Sequence, residues 1–186
     1  MKLTSTKPEL RRELLKQRRS HTKNRIHEMS NAIHERLRSI DLFVSASVLL
    51  SYVDHDKEVE TLPILSAHLE LGLRVAVPYI ASDHGLQWSL IGGLDDLSIG
   101  KHAILEPRRP CVPFNVPDGA VCLIPAVGWS VNRFRLGYGG GYFDRFLGDF
   151  KGVSIGLGFD FQVLPDLPLE AHDQPVRILV TESATY

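Results

Sequence analysis

Cysteine is scarce in this chain of 186 residues, which contains only Cys111 and Cys122. Two cysteines are too few for a disulfide scaffold, and no cysteine–histidine spacing is typical of a zinc site. No apolar stretch approaches the ~20 residues that a helix needs to cross a bilayer, and the amino terminus has no apolar signal core. We therefore expect a cytoplasmic protein without a membrane partner, in which both cysteines are packing residues.

The net charge is also small, at −1. Residues 1–38 nevertheless contain eleven Lys and Arg against four Asp and Glu, a local charge of +7, while the remainder carries −8. A basic segment could bind RNA or an anionic membrane surface. Its cations are interleaved with apolar residues at helical spacing, which favours an ordinary charged helix face. We expect no nucleic-acid partner.

Two familiar phosphate-binding motifs are missing. Gly-x-x-x-x-Gly-Lys-Ser/Thr is absent, and Gly-x-Gly-x-x-Gly fails because Tyr142 stands at its last glycine position. A different glycine-rich segment, residues 135–144 with the sequence RLGYGGGYFD, is the most informative part of the chain. Glycine allows positive φ and close approach of another surface, and successive N–H groups in such a turn can bind an anion.

This segment lies between a cation, Arg135, and a carboxylate, Asp144. A carboxylate is a hard oxygen ligand of the kind that a phosphate-bound Mg²⁺ needs. We therefore interpret residues 135–144 as a nucleotide-phosphate loop with its metal ligand. The alternative is a tight turn in which glycine serves packing alone, because a lone glycine cluster is weak evidence.

Apolar periodicity predicts helices and strands in alternation. Helices are predicted over 6–18, 26–40, 61–71 and 141–148, and strands over 44–53, 73–77, 85–91, 120–127, 153–159 and 176–180. Residues 94–119 are predicted to be irregular. The alternation predicts one α/β domain over residues 1–186, with three layers: a mainly parallel sheet with helices on both faces, Rossmann-like and doubly wound. Ligands collect beyond the carboxyl ends of the strands in such folds, and the glycine loop directly follows the 120–127 strand.

The chain resembles the 5-formyltetrahydrofolate cyclo-ligases, also called methenyltetrahydrofolate synthetases. The resemblance covers nearly the whole chain, and its loop has the pattern Arg-Leu-Gly-x-Gly-x-Gly-Tyr-aromatic-Asp. The motifs that accompany the loop are modest separately, but their order is specific: Lys7–Arg11, Glu58–Thr61, Val75–Pro78, Ile124–Val127 and His172–Asp173.

The resemblance implies an ATP- and Mg²⁺-dependent ring closure of 5-formyltetrahydrofolate to 5,10-methenyltetrahydrofolate, with release of ADP and phosphate. The formyl oxygen attacks the γ-phosphate, N10 then attacks the activated carbon, and phosphate leaves. Such a reaction needs two anionic ligands to be positioned and charge to be neutralised at the transferred phosphoryl group. It needs no covalent nucleophile, and none is evident in the sequence.

The resemblance also assigns roles to individual residues. Arg135 and Tyr142 are the expected catalytic residues. Residues expected to bind ATP are Lys7, Pro8, Glu9, Leu10, Arg11, Arg135, Leu136, Gly137, Tyr138, Gly139, Gly140, Gly141, Tyr142 and Phe143. Residues expected to bind the folate are Leu50, Glu58, Tyr138, Gly139, Gly140, Gly141 and Tyr142. The expected Mg²⁺ ligands are Asp144 and Asp173.

Each role has a structural alternative. Lys7 and Arg11 share a helix face and could simply be solvated, while Arg135 could form a salt bridge beside the loop. Asp144 could cap the following helix, and Asp173 could close a turn. Two further alternatives concern the folate contacts: Glu58 could be an acid at a helix amino terminus, and Leu50 could be a core residue.

The chain departs from the family pattern at two places. Many relatives carry Phe-Asp where this chain has Trp129–Ser130, and a second tyrosine where it has Phe143. Competing hypotheses are an RNA-binding module that uses the basic helices and an ATP-dependent enzyme acting on another small substrate. We expect a monomer that binds 5-formyltetrahydrofolate as its small-molecule substrate.

Overall fold

The computed structural model describes residues 5–81, 85–100 and 104–186. Its helices are α1 (Lys7–Ser20), α2 (Lys23–Arg38), α3 (Asp41–Val44), α4 (Leu62–Glu70) and α5 (Tyr142–Asp149). Thr6 caps α1 through the predicted capping box, in which the Glu9 carboxylate accepts from the Thr6 backbone N–H at 2.8 Å. No helix in the described part of the chain is long and apolar enough to span a membrane.

The strands form one large sheet and two small ones. The large sheet has the order β11-β9-β6-β1-β2-β3, and all its pairs are parallel except β2 with β3. A small sheet has the order β10-β7-β8, and β4 pairs with β5. The bounds are β1 Val48–Ser51, β2 Arg74–Ile80, β3 Leu86–Ile91, β4 Leu97–Ile99, β5 Leu105–Pro107, β6 Val121–Ile124, β7 Gly128–Ser130, β8 Arg135–Leu136, β9 Val153–Leu157, β10 Val163–Leu164 and β11 Ile178–Val180.

Alternate residues of the large sheet face two separate apolar layers. Leu49, on one face, packs in the same core as the apolar stripes of α2 and α4. Leu50, on the other face, packs with Trp129 and with the apolar side of α5. Because both faces are covered, β1, β6 and β9 are buried along their whole length. The predicted three-layer α/β fold with a mainly parallel sheet is confirmed.

Some predicted boundaries were wrong. The predicted strand 44–53 is strand only over Val48–Ser51, because α3 precedes it and ends at Val44. Val44 is 61% exposed and therefore has no place in a buried strand. The predicted strand 120–127 also divides, since a break at Pro125 lets the chain turn into β7 of the small sheet. The region 94–119 contains β4 and β5 rather than irregular structure alone.

Two glycine-to-alanine substitutions should have opposite effects on stability. A Cβ on Gly156 in β9 would lie 2.4 Å from Cη2 of the buried Trp129 ring, so Gly156→Ala should destabilise the protein by about 1–3 kcal/mol. A Cβ on Gly148 in α5 meets nothing within 4 Å, and alanine is the better helix former there, so Gly148→Ala should stabilise by roughly 0.5–1 kcal/mol. Urea unfolding of both variants measures the difference. Equal changes in the free energy of unfolding for the two variants would show that the Trp129 ring can move to accommodate a Cβ at position 156.

Candidate active site

Two cavities lie beyond the carboxyl ends of the parallel strands, on either side of the glycine loop, residues 135–144. The larger, which we call the apolar cavity, has a volume of about 440 Å³. Segments that directly follow β1 and β6 contribute to its wall, as does the end of β2. Its lining residues are Arg19, Tyr52, Val53, His55, Asp56, Glu58, Pro78, Tyr79, Ile80, Leu86, Ile104, Leu105, Glu106, Pro125, Tyr138 and Phe143.

The second cavity, which we call the charged cavity, has a volume of about 310 Å³. Most of its lining side chains are ionisable, and the loop glycines expose backbone there. Its lining residues are Lys7, Pro8, Arg11, Arg135, Leu136, Gly137, Gly139, Gly141, Asp144, Glu170, His172 and Asp173. Backbone amides beside three cations are the surroundings that a polyphosphate requires.

The loop needs its glycines for geometric reasons. Gly139 has φ of 109° and Gly141 has φ of 65°, both in the region that side chains disfavour. Gly137 is needed for space, because a Cβ there would lie 2.6 Å from Nη1 of Arg135. Gly141 is also the residue before α5, so the positive end of that helix points into the same region as the loop amides.

Arg135 and Asp144 form a buried ion pair across the base of the loop. Nη2 of Arg135 donates to Oδ2 of Asp144 at 2.7 Å, and the two side chains are 5% and 12% exposed. Burial lowers the pKa of Arg135, although the Asp144 carboxylate opposes that effect. Nε of Arg135 and Oδ1 of Asp144 are buried without a partner among the described residues. Each therefore has an unused donor or acceptor for a ligand.

The first helix supplies the opposite wall of the charged cavity. Nε of Arg11 donates to the Gly137 carbonyl at 2.8 Å, which ties α1 to the loop. Nζ of Lys7 lies 2.7 Å from Oδ2 of Asp173 and 3.1 Å from Oε2 of Glu170. Burial raises the pKa of Asp173, but the hydrogen bonds from Lys7 and from the Glu170 backbone, together with the positive charge of Lys7, lower the pKa overall. Lys7 and Arg11 are thus not simply solvated helix cations.

The carboxylates of the charged cavity suit a divalent cation. Asp144 and Asp173 both line it, and Asp144 has a buried oxygen without a partner. Glu170 and His172 lie beside Asp173, with ligand atoms within 4.8 Å of one another. Carboxylate oxygens with phosphate oxygens are the donor set that Mg²⁺ prefers. The residues present therefore fit the expected metal.

A polar cluster, buried except at Tyr138, which is 52% exposed, joins the glycine loop to the apolar cavity. The Tyr138 hydroxyl donates to Oε1 of Glu58 at 2.9 Å and accepts from Nη2 of Arg18 at 2.6 Å. Oε2 of Glu58 accepts from the His55 backbone N–H at 3.1 Å. Burial raises the pKa of Glu58 to about 7, against the lowering effect of Arg18. Glu58 is 8% exposed and reaches the cavity wall, so it offers an acceptor in apolar surroundings.

The sequence matches the profile of the 5-formyltetrahydrofolate cyclo-ligase family over residues 3–182. The chain belongs to this family. It is 28% identical to the 5-formyltetrahydrofolate cyclo-ligase of Escherichia coli over 177 residues, which is 91% of this chain and 96% of that protein. It is also 28% identical to the enzyme of the same name from Mycolicibacterium smegmatis over 184 residues, 95% of this chain and 93% of that one.

Solved structures agree with this assignment. The fold is similar to an NMR structure of 5,10-methenyltetrahydrofolate synthetase from Aquifex aeolicus, with a TM-score of 0.84, 28% identity, and coverage of 96% of this chain and 91% of that one. It is also similar in fold to the Mycoplasma pneumoniae synthetase, with a TM-score of 0.72 and 19% identity, over 96% of this chain and 99% of that one. The predicted cyclo-ligase class, with its place in folate one-carbon metabolism, is confirmed.

Most residues that the family resemblance selects line one of the two cavities. The charged cavity collects Lys7, Pro8, Arg11, Arg135, Leu136, Gly137, Gly139, Gly141, Asp144 and Asp173. The apolar cavity collects Glu58, Tyr138 and Phe143. The loop therefore presents Tyr138 to one cavity and its neighbours Gly137 and Gly139 to the other. Ligand contacts by these residues remain predictions.

Five selected residues do not line either cavity: Glu9, Leu10, Leu50, Gly140 and Tyr142. Leu50 is 0% exposed and packs in the core cluster that contains Trp129, so the core role is seen in this structure and the folate contact stays a prediction. Leu10 packs against Leu136 in a third core cluster, and Glu9 caps α1. The Tyr142 ring lies under the Arg145 guanidinium at 5.2 Å.

Three residues in or beside the two cavities were missed by the sequence argument: Arg18, Asp56 and Glu170. Arg18 carried a signal, because Leu10, Leu14 and Arg18 recur at intervals of four residues and form one buried stripe of α1. A cation on an apolar stripe needs a buried acid as partner. No pattern in the sequence marked Asp56 or Glu170, because each is linked to the site only by a long-range ion pair with a residue of α1.

Glu58 should make the stability of the protein depend on pH. Its pKa is raised from 4.5 to about 7, so the folded state binds an extra proton between these values and stability falls as pH rises through that window. The loss has an upper bound of about 3 kcal/mol. Glu58→Gln should remove this component, whereas Glu13→Gln, on the exposed side of α1, should keep it. The measurement is the free energy of unfolding in urea from pH 4 to 8. If this free energy depended on pH in the same way in both variants, the raised pKa of Glu58 would be contradicted.

Proposed function

We propose that this protein uses ATP and Mg²⁺ to convert 5-formyltetrahydrofolate to 5,10-methenyltetrahydrofolate, with release of ADP and phosphate. The observation that carries the proposal is the position of the glycine loop between the charged cavity and the apolar cavity. A loop that borders both cavities could bring the terminal phosphate of a nucleotide in the charged cavity next to the reacting group of a substrate in the apolar cavity. Membership of the 5-formyltetrahydrofolate cyclo-ligase family supports the folate as one ligand, and the charge of the other cavity supports a triphosphate as the second.

The charged cavity is the proposed site for the triphosphate. Lys7, Arg11 and Arg135 line it together with the backbone at Gly137, Gly139 and Gly141. Three cations and the amino-terminal end of α5 offset the charge of the phosphates. Arg135 is the proposed catalytic cation, because its unpartnered Nε can donate to an oxygen of the transferred phosphoryl group.

The apolar cavity is the proposed site for the folate. Tyr52, Tyr79 and Phe143 supply ring surfaces of the kind that cover a pterin. Glu58 at its polar end is positioned to accept hydrogen bonds from ring nitrogens of the pterin. The buried environment makes such bonds selective, because a ligand that lacks the donors would leave Glu58 unpaired.

The proposed chemistry has two steps. The formyl oxygen attacks the γ-phosphorus, and the bond from that phosphorus to the ADP oxygen breaks. N10 of the folate then attacks the formyl carbon and loses its proton, and the carbon–oxygen bond breaks to release phosphate. The chain contributes positioning and charge neutralisation rather than a covalent nucleophile. Asp144 and Asp173 would hold Mg²⁺, which would supply further neutralisation of the phosphate oxygens when bound.

The test is a coupled assay on the purified protein. Incubation with 5-formyltetrahydrofolate, ATP and Mg²⁺ should produce the methenyl absorbance and ADP in equal amounts, and omission of any one component should stop both. ADP release without methenyl formation would indicate an enzyme for another small substrate. Absence of both products from folded protein would reject the proposal.

A further inference from the structure

A fully buried arginine outside both cavities connects the glycine loop to the folate side. Arg18 lies at the last turn of α1, is 1% exposed, and has its head group surrounded by Tyr138, Glu58 and Asp56. Its side chain lines neither cavity, so it does not touch a ligand held there. Burying a guanidinium is costly unless its contacts compensate.

Those contacts come from two separate parts of the chain. Nη2 of Arg18 donates to the Tyr138 hydroxyl at 2.6 Å, and Nη1 lies 3.7 Å from Oε1 of Glu58. Nη2 also lies 3.4 Å from Oδ2 of Asp56. Tyr138 belongs to the glycine loop, whereas Asp56 and Glu58 belong to the segment that follows β1. One side chain thus joins the tip of the loop to the wall of the apolar cavity.

The segment after β1 is held in an unusual shape around this arginine. Asp56 and Lys57 have positive φ of 48° and 62°, which costs free energy in a residue with a Cβ. Nζ of Lys57 donates to the carbonyls of Arg19 and His21 at 2.6 Å each, and Arg19 pairs with Asp56 at 2.8 Å. The end of α1 therefore fixes the backbone that carries Glu58.

We propose that Arg18 is a positioning residue that holds Glu58 and Tyr138 in register, so that the folate site is assembled only while the glycine loop is in place. This inference rests on the proposed function and assigns to it a residue that does not contact either substrate. Tyr138 transmits the effect, because its hydroxyl bonds both Arg18 and Glu58. The charge state of Glu58 depends on the same cluster.

Among the described residues, the titratable groups that face Glu58 come from α1, the glycine loop and the segment after β1. Arg18 approaches from α1, Tyr138 from the glycine loop, and Tyr52 and Asp54 from the segment after β1, while the His55 backbone N–H donates to the carboxylate. Arg18 lowers the pKa of Glu58 and Asp54 raises it. Removal of Arg18 should therefore move the pKa of Glu58 upward, which leaves a neutral acid and not a buried unpaired charge.

The experiment compares Arg18→Met with Arg12→Met, a change of the same size at an exposed position of α1. Arg18→Met should raise KM for 5-formyltetrahydrofolate roughly 10- to 100-fold, the usual effect of losing hydrogen bonds to a charged group. KM for ATP should change by less than about twofold, because the charged cavity is untouched. The acid limb of the pH profile for the folate should move to higher pH. Arg12→Met should match the wild type in all three.

Two further variants separate positioning from a general structural role. In a protein that already carries Glu58→Gln, Arg18→Met should have little additional effect on KM for the folate. The reason is that Arg18 affects folate binding by positioning the Glu58 carboxylate, which the first substitution removes. Arg18→Lys should restore the pH profile, since the charge returns, and only part of the KM, since one ammonium cannot replace the guanidinium fork. Tyr138→Phe should also raise KM for the folate and leave KM for ATP within about twofold.

The outcomes that overturn the inference are distinct from those that overturn the proposed function. An inactive wild type rejects the function. An active wild type with Arg18→Met indistinguishable from Arg12→Met rejects the positioning role. Equal losses for ATP and folate in Arg18→Lys and Tyr138→Phe, both judged folded by thermal unfolding, would also reject it. If Arg18→Met does not fold, those two variants decide.

Discussion

Asp144→Asn should lower turnover by roughly 10²- to 10⁴-fold, which corresponds to several kcal/mol of lost transition-state stabilisation. The carboxylate pairs with Arg135 through one oxygen and leaves the other buried without a partner among the described residues. That second oxygen is the proposed ligand for Mg²⁺. An amide keeps one acceptor for Arg135 but loses the charge that a divalent cation requires. Methenyl formation as a function of Mg²⁺ concentration is the measurement.

Asparagine is a better probe here than alanine. Removal of the whole side chain would leave the Arg135 guanidinium, 5% exposed, without its partner, and an unpaired buried charge costs about 3–5 kcal/mol. Loss of activity in Asp144→Ala would then mix metal binding with misfolding. Asp149→Asn is the matched control, because Asp149 lies at the exposed end of the same helix. It should retain full activity.

Wild-type turnover in Asp144→Asn would remove this residue from the metal site. A shift of the Mg²⁺ dependence to higher concentration with unchanged maximal rate would leave Asp144 as a ligand but transfer the catalytic role to the other acids of the charged cavity, Asp173 and Glu170. Thermal unfolding of the apo protein should show little change in Asp149→Asn and a smaller loss of stability in Asp144→Asn than in Asp144→Ala, because the hydrogen bond to Arg135 can persist although the compensating charge is lost.

The sequence was sufficient to predict the layers of the fold and the edge of the sheet at which the two cavities of the candidate site lie. Hydrophobic strands alternating with amphipathic helices leave few alternatives to a covered parallel sheet, and such a sheet binds ligands beyond its strand ends. The glycine loop could be recognised for the same reason, since its amides, cation and acid are contiguous in the chain. Local patterns of this kind do not depend on how distant segments pack.

The sequence predictions failed where the outcome depends on contacts between residues that are far apart in the chain. Val44 continued an apolar run in sequence, but α3 ends there and exposes its side chain. Arg18 resembled other helix cations because its partners, Asp56 and Tyr138, are 38 and 120 residues away. No short-range pattern specifies such pairs.

Arg135→Lys should be nearly as damaging as loss of Asp144, although the charge is conserved. The Arg135 guanidinium is fixed by three features of the loop: the missing Cβ of Gly137, the ion pair with Asp144, and the Phe143 ring 5.5 Å below it. Lysine carries its three N–H donors on one nitrogen, so it cannot hold Asp144 and the phosphate in the fixed, widely spaced geometry of the planar guanidinium.

We expect a fall in kcat/KM for ATP of roughly 10²- to 10³-fold, the typical cost of removing one donor aimed at developing charge. Arg133→Lys, at an exposed position two residues earlier, is the control and should behave as the wild type. The fall should lie mainly in kcat, because Lys7 and Arg11, the other proposed triphosphate ligands, are unchanged while the transferred phosphoryl group loses its proposed donor. A pure increase in KM with unchanged kcat would instead assign Arg135 to ground-state binding of the nucleotide, alongside the two cations of α1.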